Sequence, residues 1–546
     1  MKKVRSMVLV SSDSLSMERG AREVYQRLND EIKAFNLSEE ISLDMVADIG
    51  RHDAAPMVII YPEAIIYGPV RVEDVHTLVE EHLYKGRPVE NLQVPVRELT
   101  GKIAWLNARS GTLPAEQRIV LQRAGLIDPD SLDDYIIHEG YEALGKVLTS
   151  MTPDDVISEI DKSGLKGRGG AGFPTALKWR FVRKAAGEKK YVVCNADESE
   201  PGTFKDRLVL EGDPHSIIEA MVIAGYAVGA DEGYIYIRGE YGLAQTRLLK
   251  AILQAKEIGF LGKNIFGSGH NFELHIHAGA GAYICGEETA LIESIEGKRG
   301  EPRPRPPYPT TNGLWDKPTL VNNVETLANV PAILRNGSAW YRQFGTPSSP
   351  GTKVYTILGN VNVTGLIEVP MGITLREVIS IYGKGMKNGA GFKLAQTGGS
   401  SGSIIPAALQ DTPMDFDSFA KAGVSLGSGA MLICSDETCV VDLAKTLVNF
   451  FRVESCGKCN PCRIGNQRAF QILHNLAEGL GSMKDLDDLL TLSKWMYEMS
   501  NCGLGQTSGA PLRDILTHFR AEVEAHINLK TCPTGVCPMS GRSLNQ

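Results

Sequence analysis

Four cysteines in the last quarter of the chain are the residues whose type and spacing most directly indicate chemistry. Cys456, Cys459 and Cys462 are each separated by two residues, and Cys502 follows much later in the sequence. Three thiolates at this spacing can bind one face of an iron–sulfur cube, and a distant cysteine can supply the remaining ligand. Structural zinc sites more often use two separated pairs of cysteines. The pattern therefore favours a [4Fe–4S] cluster, which transfers one electron at a time, over zinc or unliganded thiols.

The C-terminal tail contains a second group of potential metal ligands. His526, Cys532 and Cys537 lie within twelve residues, and they would supply three of the four ligands of a tetrahedral zinc site. Cys439 or Cys434 could provide the fourth ligand from elsewhere in the chain. Free or merely buried thiols are the alternative interpretation.

A glycine-rich run at Gly167–Gly172 satisfies the pattern Gly-x-Gly-x-x-Gly. An ordinary dinucleotide-binding turn needs a strand immediately before this pattern. Here the preceding segment, Thr152–Lys162, begins with a capping threonine followed by proline, so we predict a helix instead. The glycines would let the backbone approach a flat or phosphorylated ligand, towards which a helix beginning near Thr175 would direct N–H groups. A tight structural turn is the alternative.

An acidic loop follows the predicted strand Tyr191–Val193. Asp197, Glu198 and Glu200 are so close in sequence that they would repel one another on an ordinary surface. In a nucleotide pocket they can accept hydrogen bonds from ribose hydroxyls, a ring N–H or a carboxamide. A solvated acidic loop is the alternative. Three later segments could also contact a ligand: the glycine cluster Ala278–Glu288, the cationic and aromatic strip Arg303–Pro309, and the adjacent Asn322 and Asn323.

The elements that must position these residues indicate a multidomain α/β protein. At 546 residues the chain is long enough for several domains. Hydrophobic periodicity predicts the following division: an α/β unit at 1–90, a linker at 91–115, an α/β block at 116–335, a compact β-grasp module at 336–430, a helical domain at 431–515 and a tail at 516–546. The helical domain would place the four cysteines where helix ends converge.

Composition excludes several classes of function. A net charge of −8 and the lack of a long basic block argue against a nucleic-acid-binding surface. No run approaches the 18 apolar residues of a membrane span, and Met7–Val10 is too short for the apolar part of a signal peptide. Ten cysteines without an export signal indicate metal ligands and buried thiols in the reducing cytoplasm. Cys194 and Cys285, in apolar segments, are predicted core thiols.

Together these segments resemble the flavin-bearing, NADH-oxidising subunit of complex I and its soluble relatives in NAD-linked hydrogenases and formate dehydrogenases. Several distinct motifs occur in the same order over roughly residues 116–510, which makes chance similarity very unlikely. The matching runs are Gly164–Trp179, Asn195–Arg207, Gly281–Glu288, Pro302–Pro309, Asn322–Thr326, Glu454–Gly465 and Cys502–Gly505.

The resemblance implies a set of site residues. FMN would contact Gly167, Arg168, Gly169, Gly170, Gly172, Asn195, Asp197, Tyr283, Asn322, Asn323 and Thr326. NADH would stack over the flavin near Phe173, Phe181, Glu198, Glu200, Glu288 and Tyr308, and Lys178 and Glu287 are further expected cofactor-binding residues. Glu198 and Glu200 are assigned to the catalytic centre for their polar contacts, and no general acid is assigned. Cys456, Cys459, Cys462 and Cys502 would hold the [4Fe–4S] cluster. Arg305 and Tyr308 replace the lysine and phenylalanine frequent in the family and keep the charge and the ring.

Two regions of the chain differ from the pattern of this family. Residues 1–90 are similar to the thioredoxin-like [2Fe–2S] module fused to some soluble members, but the ligand positions fall near Ser12, Ser16, Asp48 and His52. These are poor ligands for such a cluster, so we predict a domain that has kept its fold and lost its metal. The tail is similar to the region that precedes an extra ferredoxin domain in bifurcating hydrogenases.

The sequence therefore predicts the NADH dehydrogenase (diaphorase) subunit of a soluble, cytoplasmic redox complex. A hydride would pass between NAD(H) and FMN, and single electrons would pass to the cluster and a partner. Expected partners are an iron–sulfur subunit with a [2Fe–2S] domain and a hydrogenase or formate dehydrogenase subunit, with ferredoxin if the complex bifurcates electrons. The alternatives are a respiratory complex I subunit and, in a different class, a flavin-less iron–sulfur docking module.

Overall fold

Three β-sheets and a C-terminal group of helices make up the structure, a computed structural model that describes residues 4–94 and 117–541. The prediction of a multidomain α/β protein is confirmed at this coarse level. The predicted linker at 91–115 lies mostly outside the described residues, and so does the end of the tail.

The N-terminal sheet has four strands in the order β2-β1-β3-β4. The strands are β1 (Ser6–Ser11), β2 (Ile41–Val46), β3 (Val58–Tyr61) and β4 (Ile65–Tyr67). β1 runs parallel to β2 and antiparallel to β3. The helical segments are Ser14–Glu18, Ala21–Ala34, Val72–Asp74, Val75–Thr77 and Leu78–Tyr84. The longest of them buries Val24, Leu28 and Ile32, which lie four residues apart on one face.

The second sheet is parallel throughout, in the order β7-β6-β5-β8. Its strands are β5 (Tyr191–Ala196), β6 (Glu232–Arg238), β7 (Glu273–Gly279) and β8 (Thr319–Asn323). The carboxyl ends of parallel strands meet at one edge, where ligands of α/β sheets commonly bind. The acidic loop after β5 therefore lies beside the end of β8, and Asn195 is the register partner of Asn323.

Helices surround this sheet and form the main core. They are Leu132–Ile137, Glu142–Ser150, Pro153–Ser163, Thr175–Lys184, Lys205–Gly212, Pro214–Val228, Gly242–Glu257, Glu288–Ile295, Val324–Asn336 and Ser338–Tyr341. The helix before the glycine loop is confirmed, since Thr152 caps it and Pro153 is its first residue. The loop is therefore not an ordinary dinucleotide-binding turn.

The third sheet has five strands in the order β10-β9-β13-β11-β12. They are β9 (Thr352–Gly359), β10 (Gly365–Pro370), β11 (Phe392–Thr397), β12 (Ile404–Pro406) and β13 (Ala430–Ser435). The helical segments of this unit are Leu375–Glu377, Val378–Tyr382 and Phe416–Lys421. β13 lies between β9 and β11, so the predicted boundary at residue 430 cuts a central strand and is wrong. We refer to residues 352–435 as the five-stranded unit.

The C-terminal helices pack against one another and against the five-stranded unit. They are Val440–Glu454, Asn460–Ala477, Met483–Met499, Gly503–Thr507, Ala510–His518 and Arg520–Asn528. In the part of the chain that the structure describes, no helix combines the length and apolar character needed to cross a membrane.

Candidate active site

Two adjoining cavities meet at the glycine loop. A larger cavity of about 580 Å³ and a smaller one of about 440 Å³ are both lined by Gly169, Gly170 and Ala171. Gly170 and Gly172 have φ angles of +131° and +64°, which favour glycine. A Cβ atom added to Gly169 would lie 3.1 Å from the Cβ atom of Asn323. The loop therefore needs glycine both for its conformation and for its close approach to β8.

Three exposed aromatic side chains surround the larger cavity. Phe173, Phe181 and Tyr308 line it and are 44%, 47% and 56% exposed. Large aromatic side chains at the surface of a cavity offer flat faces on which a planar ligand can stack. The structure thus brings together three rings that are distant in sequence.

A chain of charges lies beside these rings. Lys178 Nζ is 2.8 Å from one carboxylate oxygen of Glu288, and Arg305 is 3.0 Å from the other. Burial alone would raise the pKa of Glu288, but Lys178 and then Arg305 hold it below its ordinary value. Glu288 is therefore ionised at neutral pH, between two cations that could also contact an anionic ligand.

The acidic loop lines the smaller cavity. The Oδ2 atom of Asp197 is buried without a hydrogen-bond partner among the described residues. Burial raises the pKa of Asp197 to about 7. A buried oxygen without a partner is costly unless a ligand or water donates to it. This atom is thus suited to accept a hydrogen bond from a bound ligand.

Glu198 and Glu200 also reach the smaller cavity, but their carboxylates already have protein partners. Glu198 accepts from the N–H groups of Asp206 and Arg207 at 2.8 and 2.9 Å, at the start of the helix Lys205–Gly212. Burial, and then the charge of Asp206, raises the pKa of Glu198 to about 7. Glu200 accepts from the Tyr283 hydroxyl at 2.5 Å. Both residues fix the shape of the cavity, and their catalytic role stays a prediction.

The four cysteines of the predicted cluster share one apolar pocket. Cys459 and Cys502 each immediately precede a helix, and helix N-termini favour an anionic cluster. Burial raises the pKa of Cys462 to about 11 and also raises that of Cys502. Because metal ligands are thiolates, cluster binding would displace these protons. An added Cβ atom at Gly505 would lie 2.9 Å from the Cβ atom of Cys462, so glycine is required there.

The comparisons with known proteins agree with this geometry. Residues 160–332 match the Nuo51 FMN-binding domain, and residues 442–526 match the NADH-ubiquinone oxidoreductase-F iron–sulfur binding region. The NADP-reducing hydrogenase subunit HndC of Solidesulfovibrio fructosivorans is 51% identical over 79% of this chain and 87% of its own length. The chain therefore belongs to the family that these two domain models and HndC represent. It is an FMN- and iron–sulfur-dependent NADH oxidoreductase subunit.

Two further relatives extend the comparison. An NADH-quinone oxidoreductase subunit of Rhizobium meliloti (strain 1021) is 49% identical over 76% of this chain and 99% of its own length. A solved structure of NAD+-reducing [NiFe]-hydrogenase in the H2-reduced state is 32% identical, with a TM-score of 0.66. That match covers 96% of this chain and 85% of the hydrogenase chain.

The residues around the glycine loop fit the flavin of this family. The loop lacks side chains where a ligand would approach, and Asp197 Oδ2 needs a donor. Other residues predicted to bind cofactor line one or both cavities: Gly167, Asn195, Tyr283, Glu287, Asn322, Asn323 and Thr326. Glu287 and Asn323 also cap the helices that follow them, so these helices begin at the cavity walls.

Arg168 is placed differently from the prediction. Its side chain is fully buried and lines neither cavity. The guanidinium donates to the carbonyl oxygens of Thr352 and Pro350 and to the Tyr341 hydroxyl. The structure therefore does not bring the Arg168 side chain to either cavity, because its partners in and before β9 hold it elsewhere.

The sequence analysis missed the contribution of the five-stranded unit. Ser401, Ser425, Gly427 and Ser428 line the smaller cavity opposite the acidic loop. Ser401 donates its backbone N–H to Glu200 at 3.0 Å. The Gly/Ser-rich turns of this region were the available signal, but their composition alone predicts only turns.

The tail ligands converge as predicted, and Cys439 completes them. The ligand atoms of Cys439, His526, Cys532 and Cys537 all lie within 4.8 Å of one another, whereas Cys434 is not part of the group. Cys439 Sγ is 3.4 Å from His526 Nε2 and 3.5 Å from Cys537 Sγ. Hydrogen bonds from Cys537 and then His526 lower the pKa of Cys439 well below its ordinary value. Three sulfurs and one imidazole nitrogen match the ligands of structural zinc.

Proposed function

We propose that this chain is the diaphorase subunit of a soluble, hydrogenase-type redox complex, in which FMN lies against the glycine loop and NAD(H) enters the larger cavity. One observation carries the electron path. Gly503 and Leu504, which directly follow the cluster ligand Cys502, form part of the wall of the smaller cavity. A ligand beside the glycine loop would thus lie next to the proposed cluster, without an intervening domain.

Side chains of the two cavities would orient the reactants. Bound FMN supplies hydride acceptance from the nicotinamide and release of single electrons. Phe173, Phe181 and Tyr308 would hold the nucleotide rings, and Lys178 and Arg305 would contact its phosphates. The catalytic assignment of Glu198 and Glu200 is supported by their position at the smaller cavity, where they would maintain its shape and polarity.

The finer domain description is also a proposal. We infer a thioredoxin-like N-terminal domain, an FMN- and NADH-binding domain around the parallel sheet, a β-grasp domain and a helical [4Fe–4S] domain followed by the tail. The strand orders of the three sheets support the division. The β-grasp domain would end after Ser435 to include all of β13.

Partners would receive electrons from the cluster side of the molecule. Cys456 and Cys459 are partly exposed, so the cluster would lie near the surface. An iron–sulfur subunit with a [2Fe–2S] domain, and a hydrogenase or formate dehydrogenase subunit, would follow, with ferredoxin added if electrons are bifurcated. The match to NAD+-reducing hydrogenase over 96% of this chain supports this choice over complex I. Ten free cysteines are compatible with the proposed cytoplasmic location.

Reconstitution with flavin, iron and sulfide, followed by reduction with NADH, tests the proposed function. Anaerobic reconstitution of the full chain with FMN, iron and sulfide should give a flavin band that NADH bleaches, followed by the EPR signal of a reduced cluster. A docking module without flavin would bind iron and sulfide but no FMN. Failure to bind FMN would therefore exclude the diaphorase function and favour that alternative.

Zinc in the tail is a separate proposal. We propose that Cys439, His526, Cys532 and Cys537 bind one zinc ion and fasten the tail to the helix Val440–Glu454. His526 Nδ1 hydrogen-bonds the Glu522 carbonyl at 2.8 Å, which leaves Nε2 for the metal. Metal analysis should find one zinc per chain in the wild type and none in Cys532→Ser. Cys434→Ser is the matched control and should keep the zinc; a metal-free wild type would contradict the proposal.

A further inference from the structure

Lys353 in β9 carries a charged group that is buried completely. Its Nζ atom donates to the carbonyl oxygens of Arg168 and Ser428 at 3.1 and 2.8 Å and lies 3.3 Å from Glu325 Oε2. Lys353, in the five-stranded unit, is thus bonded to the glycine loop at Arg168 and to Ser428, which lines the smaller cavity. Burial of a lysine ammonium costs free energy unless the charge is paired, so a buried lysine at this position requires an explanation.

Lys353 belongs to a buried cluster of oppositely charged side chains. Lys205 lies 2.9 Å from Glu325 and 2.6 Å from Asp206, and all three side chains are buried. Arg168 adds a third cation, which donates to uncharged groups: the carbonyl oxygens of Lys166, Pro350 and Thr352 and the Tyr341 hydroxyl. Three cations therefore share this cluster with the carboxyl groups of Asp206 and Glu325. Glu198 adds a third carboxyl group, which accepts from the Asp206 N–H at 2.8 Å.

This charge cluster lies at the wall of the smaller cavity. Lys205, Asp206 and Ser428 line that cavity. Gly427 packs against Gly170, where an added Cβ atom would lie 3.5 Å from the Gly427 carbonyl carbon. Acidic side chains outnumber cations along this wall, so a buried cation nearby lowers the repulsion of an anionic ligand, and it does so more strongly at low dielectric than in water.

We propose that Lys353 is a positioning residue of the flavin site, which fixes the glycine loop through the Arg168 carbonyl and offsets nearby carboxyl groups so that an anionic ligand can bind in the smaller cavity. The inference rests on the flavin site proposed above. FMN carries a phosphate, and its binding would therefore be strengthened by the buried charge. The same contact explains why the five-stranded unit is needed to complete the site.

The charge on Lys353 is expected to depend on pH near neutrality. Burial lowers its pKa to about 8, and the attraction of Glu325 only partly offsets this effect, while Lys205 and Arg168 lower the pKa further. Tyr355 also faces Lys353, with its ring centroid 5.8 Å from Nζ. As pH rises through this range Lys353 loses its charge, so the affinity for FMN should fall.

The experiment compares FMN affinity in four forms of the full chain, by quenching of FMN fluorescence between about pH 6.5 and 9.5, a range that spans the titration of Lys353. The forms are the wild type, Lys353→Met, Lys353→Arg and the control Lys190→Met. Lys190 is also buried and donates to backbone carbonyls, but it precedes β5, at the end of the strand away from the cavities. Titration of FMN itself is common to all forms, so only differences between them are interpreted.

Expected results differ between the variants. Wild type and Lys190→Met should lose affinity severalfold as pH rises above about 8, by linkage to one proton. Lys353→Met should bind FMN about tenfold more weakly at pH 7, which is the change in affinity that accompanies a shift of one unit in a coupled pKa. Its affinity should not show the additional fall at higher pH. Lys353→Arg should keep the affinity at pH 7 and also lose the extra fall, because arginine stays charged.

Several outcomes would overturn the proposal. A folded Lys353→Met chain, with wild-type circular dichroism and iron content, that binds FMN with wild-type affinity and pH dependence would exclude this role. If Lys353→Met does not fold, Lys353→Arg decides the matter, and a wild-type pH dependence in that variant overturns the inference. A wild-type chain that does not bind FMN at all would instead refute the flavin site itself.

Discussion

At the scale of single residues, Gly169 shows why the loop sequence is restrictive. An added Cβ atom would lie 3.1 Å from Asn323 Cβ, which is closer than side chains normally approach. Gly169→Ala should therefore displace the loop from β8 and weaken FMN binding by more than about tenfold, or about 1.4 kcal/mol. Fluorescence titration with FMN would measure this loss. Gly242→Ala is the control, because an added Cβ atom there meets nothing within 4 Å; equal affinities of the two variants would contradict the explanation.

Cys462 provides a test of the cluster assignment at the same scale. Cys462→Ser should lose the cluster, because a serine hydroxyl is a poor ligand for iron. Iron and sulfide analysis and EPR after reduction would detect the loss. Cys285→Ala is the matched control, since Cys285 is buried in the same apolar pocket but is not a predicted ligand. Retention of a full cluster in Cys462→Ser would show that the four cysteines have been assigned wrongly.

At the scale of elements, the N-terminal domain shows how predicted metal positions can serve another role. Asp48 and His52 meet at 3.1 Å, and Asp13 lies close enough to form one group with them. The His52 ring packs 4.9 Å from that of Phe204, at the start of the helix Lys205–Gly212. The segment that would have carried a cluster therefore contacts the FMN-binding sheet region through the His52 ring, which the ion pair with Asp48 holds in place.

This ion pair predicts a pH-dependent contact. Burial lowers the pKa of His52, but Asp48 and then Asp13 more than offset this and raise it above 6.5, while Arg207 opposes them. Burial raises the pKa of Asp48, but His52 more than offsets this and lowers it below 3.8. Burial and then the charge of Asp48 raise the pKa of Asp13, and Asp13 favours the charged form of His52 when it ionises. The stabilisation from His52 is complete below about pH 6.5 and is lost as pH rises through its folded pKa; that from Asp48 is lost only in acid.

Hydrogen exchange would measure this dependence. After correction for intrinsic rates, residues 46–52 should exchange faster at about pH 8 than at about pH 6, on either side of the raised pKa of His52. His52→Gln should remove most of this difference. His76→Gln is the control, because His76 is 55% exposed and lies away from the contact. An unchanged difference in His52→Gln would show that another group is responsible.

At the scale of the whole molecule, the units are joined by buried polar contacts as well as by apolar packing. Glu368 in β10 accepts hydrogen bonds from the N–H groups of Ile119, Val120 and Leu121 at 2.8–3.0 Å. Glu368 is fully buried. A carboxylate of the five-stranded unit thus orders the start of the segment that leads into the FMN-binding region.

Removing this carboxylate should loosen the connection between the two units. Glu368→Ala leaves three buried N–H groups without their partner, and we expect a loss of about 3 kcal/mol, at roughly 1 kcal/mol for each. Denaturant unfolding and protease sensitivity of residues 117–125 would measure the effect. The control is Glu437→Ala, at an exposed position two residues after β13, which should have the stability of the wild type. Equal stability of the two variants would mean that water or other groups satisfy these donors.

Much of the local structure was predictable because its signals are close together in sequence. The helix Pro153–Ser163 was predicted from Thr152 and Pro153, and the helix Thr175–Lys184 and the strand Tyr191–Ala196 begin where the sequence predicted them. The motif order identified the family, which the comparisons confirm. These features depend on backbone propensity and on residue spacing, which a single sequence contains.

The amino-acid sequence by itself determined which residues could bind cofactors and metals, because residue types and spacing specify ligand chemistry. Only the tertiary structure decided where they meet. In the folded chain the Arg168 side chain lies away from the cavities, and Cys439 rather than Cys434 joins the tail ligands. Gly503 lines the same cavity as the glycine loop. Each of these outcomes depends on packing between segments that are far apart in the chain, and no local pattern records which distant partner a buried side chain will find.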